Sequence, residues 1–529
     1  MRMKLPTSIR AFALLIFFLL VFSPLLALVV NLIGSLFAGH SDWLGLMIPT
    51  GRRFDLFIRS MALAGGVAIS GMILGILGAI FLWRWRTGIG AYLRWSVLLL
   101  IVVPPYVHAL AWISAISGIN SLLNATGFPN IPFQGWLGSW WIQLMALVPI
   151  PIGLTLIALE SVAPDLIEAA RMTRSDIHNL FKVILPLAKP LILAGGGFVF
   201  LLSFTDYSIP SLFHLNVYSL ESFAEFSSSS EPSRAFLSAV PLLLITILVL
   251  SASQGALRNA ALKPTKQIHP RTISPVWPAW FVTLQGLGIG LLIAQIFIPL
   301  FVLTITVGTW DNMVGAATSA RSEILFTVWI SVITAMLCLP MGLAAASKLV
   351  KRDNDTKIWW LLVTIPLAIP APLIGIGLIT IWNRPFLGAA YGSNLMPILA
   401  SLARFTPLAA IVLLAQLRRI DPLLIDAARV FHTRQSKTWM QIHLPILAPG
   451  ILAAGFIAFA LCSGELGATL IVAPPGQATL TMRIYNYLHY GASETVAGLC
   501  LMMILVALIS GVLAVAVVRR GWRLFPKWV

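Results

Sequence analysis

Long apolar runs recur along the whole chain, separated by shorter polar segments. A hydrocarbon core about 30 Å thick needs about 20 residues of helix to cross it. These runs are too long and too continuously apolar for the alternating strands, of about ten residues each, that build a transmembrane β-barrel. The pattern therefore predicts an all-α integral membrane protein with about twelve spans, near residues 11–33, 60–83, 95–117, 139–159, 190–211, 235–257, 280–307, 322–347, 358–382, 396–417, 448–473 and 494–518.

The composition excludes a water-soluble protein. Of the 529 residues, 59% are hydrophobic and only 10% are charged, and the mean hydropathy is +0.93. Soluble domains carry about 25% charged residues, so this chain has too few charges for a water-facing surface. A soluble enzyme, a disordered chain and a fibrous protein are all excluded.

The net charge of +17 indicates how the chain lies in the membrane. Most of the 35 Lys and Arg residues fall in alternate segments between spans, on the side that would also hold both termini. Cytoplasmic segments of membrane proteins carry such an excess. We therefore predict that both termini are cytoplasmic. The positive charge then needs no nucleic-acid partner.

The chain also contains an internal repeat. Glu168-Ala169-Ala170-Arg171 returns 258 positions later as Asp426-Ala427-Ala428-Arg429, and Pro104-Pro105 matches the Pro370-Ala371-Pro372 region. An offset near half the length indicates two halves of six spans each. Because six is even, both halves enter and leave on the same side, which makes them parallel repeats. We predict a first half at 1–257, a cytoplasmic linker at 258–278 and a second half at 279–529.

Two long polar loops occupy matching places in the halves: loop A at 160–189 and loop B at 418–447. Each pattern predicts two short helices, and Pro164 and Pro422 suit the first turn of the leading helix. The Leu-Pro pairs at 185–186 and 444–445 are expected to end each loop before the next span. Such paired loops fit a docking surface for a pseudo-dimeric soluble partner. The alternative is a pair of membrane-surface helices whose arginines touch lipid headgroups.

A few ionisable residues lie in or near the spans, where they are costly and are functional candidates. Asp206 and Glu465 match at the ends of two equivalent spans and are candidates for a translocation pathway. Two facing carboxylates would suit a cationic or metal-bearing substrate. Alternatively, each acid ends its span at the interface or caps a short re-entrant helix. Arg404 is expected to snorkel or to pair with a carboxylate.

Other chemistry is sparse. Glu160 and Arg418 align at the offset of 258 with opposite charge, and both are interpreted as interfacial. The cysteines and histidines show no metal-ligand spacing, so no metal site is predicted. No G-x-x-x-x-G-K-[ST] phosphate loop occurs in the sequence.

The Glu-Ala-Ala pattern, followed by Leu-Pro in a loop before the fifth span, resembles the EAA motif of permeases from binding-protein-dependent ATP-binding-cassette (ABC) importers. Two copies in one chain resemble the fused permeases of the ferric iron, thiamine and phosphonate branch. The stretch from Glu465-Leu-Gly-Ala-Thr-Leu-Ile-Val-Ala-Pro-Pro-Gly476 through Arg483-Ile-Tyr485 to His489-Tyr490-Gly491-Ala492 is similar to the iron-transport permeases.

The resemblance implies a type I importer permease fold in a bacterial inner membrane. It implies two ATP-binding cassette subunits on the cytoplasmic side, which use ATP, and a periplasmic-type solute-binding protein outside. No cofactor is implied for this chain. The ATPase-docking residues that it implies are Glu168, Ala169, Ala170, Arg174, Asp426, Ala427, Ala428 and His432. The family has Gly where Arg174 and His432 stand, so either these bends use ordinary φ angles or they are strained.

The expected function is import by alternating access, with ferric iron as the first choice of substrate and thiamine or a phosphonate as competitors. A secondary transporter with twelve spans is the rival class, because its halves can also be parallel repeats. A membrane-embedded enzyme is less favoured, since no clustered catalytic motif occurs.

Overall fold

The computed structural model describes residues 7–85, 88–101, 103–262, 275–350, 356–418, 420, 444–489 and 494–524. All regular elements in these ranges are helical. In the first half they are α1 (Thr7–Phe37), α2 (Arg52–Arg84), α3 (Ile89–Leu100), α4 (Pro105–Ala125), α5 (Gly135–Leu147), α6 (Pro149–Glu160), α7 (Pro164–Arg171), α8 (Asp176–Asn179), α9 (Leu185–Thr205), α10 (Ser208–Leu212), α11 (Glu221–Ser229) and α12 (Pro232–Leu262).

The second half follows the same general order. Its helices are α13 (Ala279–Val307), α14 (Trp310–Ser319), α15 (Arg321–Leu349), α16 (Thr356–Thr364), α17 (Ala371–Trp382), α18 (Gly388–Tyr391), α19 (Leu395–Leu417), α20 (Leu444–Ser463), α21 (Thr469–Val472), α22 (Leu480–Leu488) and α23 (Glu494–Leu524). Four 3₁₀ segments (Ser41–Met47, Tyr218–Leu220, Ile365–Ala368 and Pro385–Leu387) and a π-helical segment (Leu180–Ile184) complete the described elements.

Within the described ranges, ten helices are long and apolar enough to cross a membrane, and two bent pairs bring the number to twelve. One pair is α5 with α6, bent by 42°; the other joins Thr356–Ala368 to α17, bent by 95°. Each predicted span overlaps one of these helices or pairs. The prediction of an all-α membrane protein is therefore confirmed.

The prediction of a continuous third span at 95–117 is wrong. Helix α3 ends at Leu100, and α4 begins only at Pro105. The equivalent span of the second half is also interrupted, with Pro370 in an extended conformation just before α17. Proline lacks the N–H that a helix interior needs and disfavours helical geometry in the residue before it. The aligned prolines therefore break the third span in both halves.

The two halves share a packing plan. In the first half α2 packs against α6 and α9, and in the second half α15 packs against α19 and α20. The second span thus lies against the fourth and fifth spans in each half. The division of the chain into 1–257 and 279–529 stays a prediction. Helix α12 continues to Leu262, into the predicted linker.

The first helix of each half packs against the opposite half. Leu14, Phe17 and Val21 of α1 are buried in a core with residues of α15, α16, α19 and α20. Reciprocally, α13 packs against α2 and α4. Glycines allow the closest approach: a Cβ on Gly288 would lie 2.5 Å from the backbone nitrogen of Gly78. Helices α1 and α13 are therefore two apolar arms, each of which packs on the opposite half and holds the halves together.

A methyl group at Gly288 should weaken the packing of the α13 arm against α2. Gly288→Ala is expected to destabilise the protein by about 1–3 kcal/mol, because two helix backbones would have to separate. Gly290→Ala is the matched control, because it lies on the same helix and its new methyl group would meet nothing within 4 Å. Thermal unfolding in detergent measures the difference. Equal midpoints for the two variants would contradict the arm contact.

Candidate docking loop and transport pathway

Loop A presents an exposed surface next to the membrane. Glu168, Ala169 and Arg174 are exposed and Ala170 is half-buried, whereas Ile167 anchors α7 in the core. Two large apolar side chains, Leu166 and Met172, are also exposed, at 52% and 87%. Exposed apolar side chains beside charged ones are typical of a protein contact surface. The geometry is compatible with the predicted docking role, which stays a prediction.

The second short helix of loop A is not separate from the membrane span, contrary to the sequence prediction. Helix α8 runs through the π-helical segment Leu180–Ile184 directly into α9, giving one helical rod over Asp176–Thr205. The Leu185-Pro186 pair does not end the loop, because the helix continues through Pro186, directly after a π-helical segment whose hydrogen bonds depart from the i→i−4 pattern. The rod connects loop A to the opposite end of the fifth span.

An ion pair forms the bend between α7 and α8. Arg171 binds Asp176 in a bidentate manner, with Nε–Oδ1 at 2.7 Å and Nη2–Oδ2 at 2.9 Å. The hydrogen bond to Asp176 raises the pKa of Arg171 further above its usual value. Asn179 Nδ2 also donates to the carbonyl of Arg174 at 3.0 Å. These contacts hold the two short helices at a set angle.

The backbone at Arg174 has an ordinary φ. In the described ranges only His214 and Ser230, among non-glycine residues, have positive φ. The bend therefore needs no glycine at this position, and no strain is stored there. In loop B, residues 421–443, which include Asp426, Ala427, Ala428 and His432, lie outside the described residues.

Loop A also contacts the start of the second half. The backbone N–H of Val276 donates to Asp176 Oδ2 at 2.7 Å. The ring of Phe181 lies 5.9 Å from that of Phe281 in α13. Because α13 is the arm that packs on the first half, loop A is in contact with both halves. Nothing in the sequence pattern indicated this contact.

Asp206 caps a short helix beyond the end of α9. Its carboxylate accepts hydrogen bonds from the Ser208 N–H at 3.0 Å, the Ser208 hydroxyl at 2.7 Å and the Ile209 N–H at 3.4 Å. Gln143 Nε2 in α5 donates to Asp206 Oδ2 at 3.0 Å. This is the capping arrangement that the sequence analysis kept as an alternative.

Glu465 has the matching role after α20. It accepts hydrogen bonds from the N–H groups of Ala468 and Thr469, both at 2.9 Å, and so caps α21. Arg404 in α19 forms an ion pair with Glu465 Oε1. The side chain of Glu465 is fully enclosed, whereas that of Arg404 is 31% exposed. Of the two predicted possibilities for Arg404, the structure shows pairing with a carboxylate.

The two capped acids are related by the internal repeat. Gln143 and Arg404 lie 261 positions apart on equivalent fourth spans, and Asp206 and Glu465 lie 259 apart. Each acid is therefore held by a polar residue of the fourth span. Because one of these residues is Gln and the other Arg, the first pair carries a net negative charge and the second is neutral. A search for polar residues at the repeat offset inside equivalent spans would have found Gln143.

Tyrosine hydroxyls join the halves beside these acids. Tyr207 OH donates to the carbonyl of Gly467 at 3.3 Å, and Tyr485 OH donates to Ser211 Oγ at 3.3 Å. The hydroxyl of Tyr106 lies 3.1 Å from that of Thr481. Every one of these contacts crosses from one half to the other. Polar contacts of hydroxyl groups therefore contribute to the interface between the halves beside the two acids.

Within the described part of the chain, no three His, Cys, Asp or Glu residues are grouped so that they could hold a metal ion. Cys338, Cys462 and Cys500 are buried and unbonded to one another. The polar groups of the interface are hydroxyls, amides and the two capped carboxylates.

Comparisons with known proteins agree with this architecture. No protein-family model matches the chain. The ferric transport system permease FbpB 1 of Haemophilus influenzae is 24% identical over 90% of this chain and 79% of its own length. The Fe(3+)-transport system permease FbpB 2 of the same organism is 21% identical over 86% of this chain and 88% of its own length.

Shorter relatives match one part of the chain. The 2-aminoethylphosphonate transport system permease PhnV of Salmonella typhimurium is 25% identical over 40% of this chain and 75% of its own length. Molybdenum transport system permeases named ModB match a similar share.

The regular elements of the described ranges are helical, they include up to twelve candidate spans, and together with these relatives they support a multi-pass inner-membrane protein that is similar to transport permeases. More particularly, the chain is similar over most of its length to ferric transport permeases and over part of it to phosphonate and molybdenum permeases, which is consistent with a fused permease of an ABC importer.

Proposed function

We propose that this permease moves a small substrate from a solute-binding protein into the cytoplasm by alternating access. Two separate ATP-binding cassette subunits would dock on loops A and B and supply the energy. The exposed α7 surface and the continuous rod over Asp176–Thr205 support the proposal. Movement of a docked subunit would pass along this rod to Asp206 and to the contacts between the halves.

The proposed substrate is ferric iron, or a small ferric complex. The observation that supports this choice is the coverage of two relatives: FbpB 1 and FbpB 2, which match 90% and 86% of this chain, have ferric iron in their names. The carboxylates of Asp206 and Glu465 do not add support for a cationic substrate, because both use their oxygens to cap short helices. Thiamine, a phosphonate and molybdate are the competitors.

Uptake by cells that lack this chain tests the substrate. Loss of radiolabelled iron uptake, restored by the gene in trans, is the expected result. The relevant controls are radiolabelled 2-aminoethylphosphonate, thiamine and molybdate, whose uptake should remain at the parental level. Normal iron uptake together with loss of any one of the other three would overturn the iron assignment and leave the importer class unchanged.

A further inference from the structure

The first residues of loops A and B carry opposite charges at the same place in the repeat. Glu160 is the last residue of α6, and Arg418 follows the last residue of α19. They lie 258 positions apart, the same offset that relates Glu168 to Asp426. Charge reversal at equivalent positions would ordinarily indicate that neither matters. The structure shows instead that both residues are connected to the end of the second span in their half.

In the first half the contact is made through a bridge. Arg94 of α3 donates from Nε to the carbonyl oxygen of Leu82 at 2.9 Å, near the end of α2. The other side of the same guanidinium pairs with Glu160, with Nη1–Oε1 at 2.9 Å. The two side chains are 19% and 25% exposed, so water screens the pair only partly. Glu160 thereby connects the start of loop A to the end of the second span.

In the second half the same connection is direct. Arg418 donates from Nη2 to the carbonyl oxygen of Leu349, the last residue of α15, at 2.9 Å. Helices α2 and α15 are the equivalent second spans. The last carbonyls of a helix have no partner within the helix and carry a partial negative charge. In both halves a guanidinium donates to one of these carbonyl oxygens. The arginine belongs to α3 in the first half and follows α19 in the second.

We infer that Glu160, acting through Arg94, and Arg418, acting directly, are positioning residues that anchor the start of each docking loop to the second span. The second span packs on the fourth and fifth spans in both halves. When the loop is anchored, its movement therefore carries the whole half along as one body. When the loop is released, it moves without the rest of the half. The inference rests on the proposed docking of ATPase subunits on loops A and B.

The test uses the complete permease with its ATPase subunits and binding protein in proteoliposomes, and measures substrate transported per ATP hydrolysed. Glu160→Gln is expected to lower this ratio about fivefold or more, a size typical of a lost coupling between sites. The double variant Glu160→Arg with Arg94→Gln copies the arrangement of the second half. It should restore at least half of the parental ratio.

The matched control is Arg84→Gln, which removes a positive charge near the same helix end without touching the Leu82 carbonyl. It should keep the parental ratio. A purely structural role for Glu160 would lower the yield and the unfolding temperature while leaving the ratio unchanged. That outcome, or an absence of rescue by the double variant, would overturn the inference.

Ala169→Arg, measured in the same assay, separates this inference from the docking proposal on which it rests. If Ala169→Arg lowers the ratio and Glu160→Gln does not, docking stands and the anchor is wrong. If neither variant changes the ratio, docking on loop A is wrong. Reduced ratios for both, with recovery in the double variant, support both.

Discussion

A permease that carries arginine at both position 169 and position 427, in place of Ala169 and Ala427, is expected to insert normally into the membrane. Its transport rate should fall at least about tenfold. Ala169 is exposed on α7, so the substitution disturbs no buried packing in this half. Its side chain would prevent close approach of a docked subunit and would bury an unpaired charge in the contact, which costs several kcal/mol. Transport and co-purification of the ATPase subunit are measured together.

The control replaces both alanines with serine, which keeps the side chains small and should preserve transport. The single variants should differ in severity, because Arg174 of loop A has His432 as its counterpart in loop B. A double arginine variant that binds its ATPase and transports at the parental rate would show that these loops are not the contact.

Arg404→Gln is expected to destabilise the permease by about 3 kcal/mol, the lower end of the usual cost of removing one partner of a buried ion pair, because Arg404 itself is 31% exposed. The Glu465 side chain is fully enclosed, so its charge would remain buried without the guanidinium. Thermal unfolding of the purified protein in detergent measures the loss. The exposed Arg384 offers a matched control, since Arg384→Gln leaves no buried charge behind.

The double variant Arg404→Gln with Glu465→Gln should recover most of the lost stability. The amide oxygen at position 465 can still accept from the N–H groups of Ala468 or Thr469, and no charge remains. An unfolding temperature for Arg404→Gln close to that of the parent protein would mean that Glu465 does not need its partner.

Much of the candidate site could be found from the sequence because the repeat marks it. Positions that align at an offset near 258 include the Glu168 region, Asp206 with Glu465, and Glu160 with the oppositely charged Arg418. An offset identifies equivalent positions and says nothing of their contacts. Gln143, Arg94 and Val276 were missed, because their roles come from partners distant in sequence: Asp206, Glu160 and Asp176.

The sequence by itself determined the membrane class and the approximate places of the spans, and it predicts the doubling of the chain. These are local properties: the length of an apolar run is set against the thickness of a bilayer, and a repeat is read along one chain. Only the tertiary structure decided that α1 and α13 pack on the opposite halves, that α8 continues into α9, and that Glu465 pairs with Arg404. These features depend on packing between segments far apart in sequence, where the geometry of a contact selects one arrangement among many with the same apolar pattern.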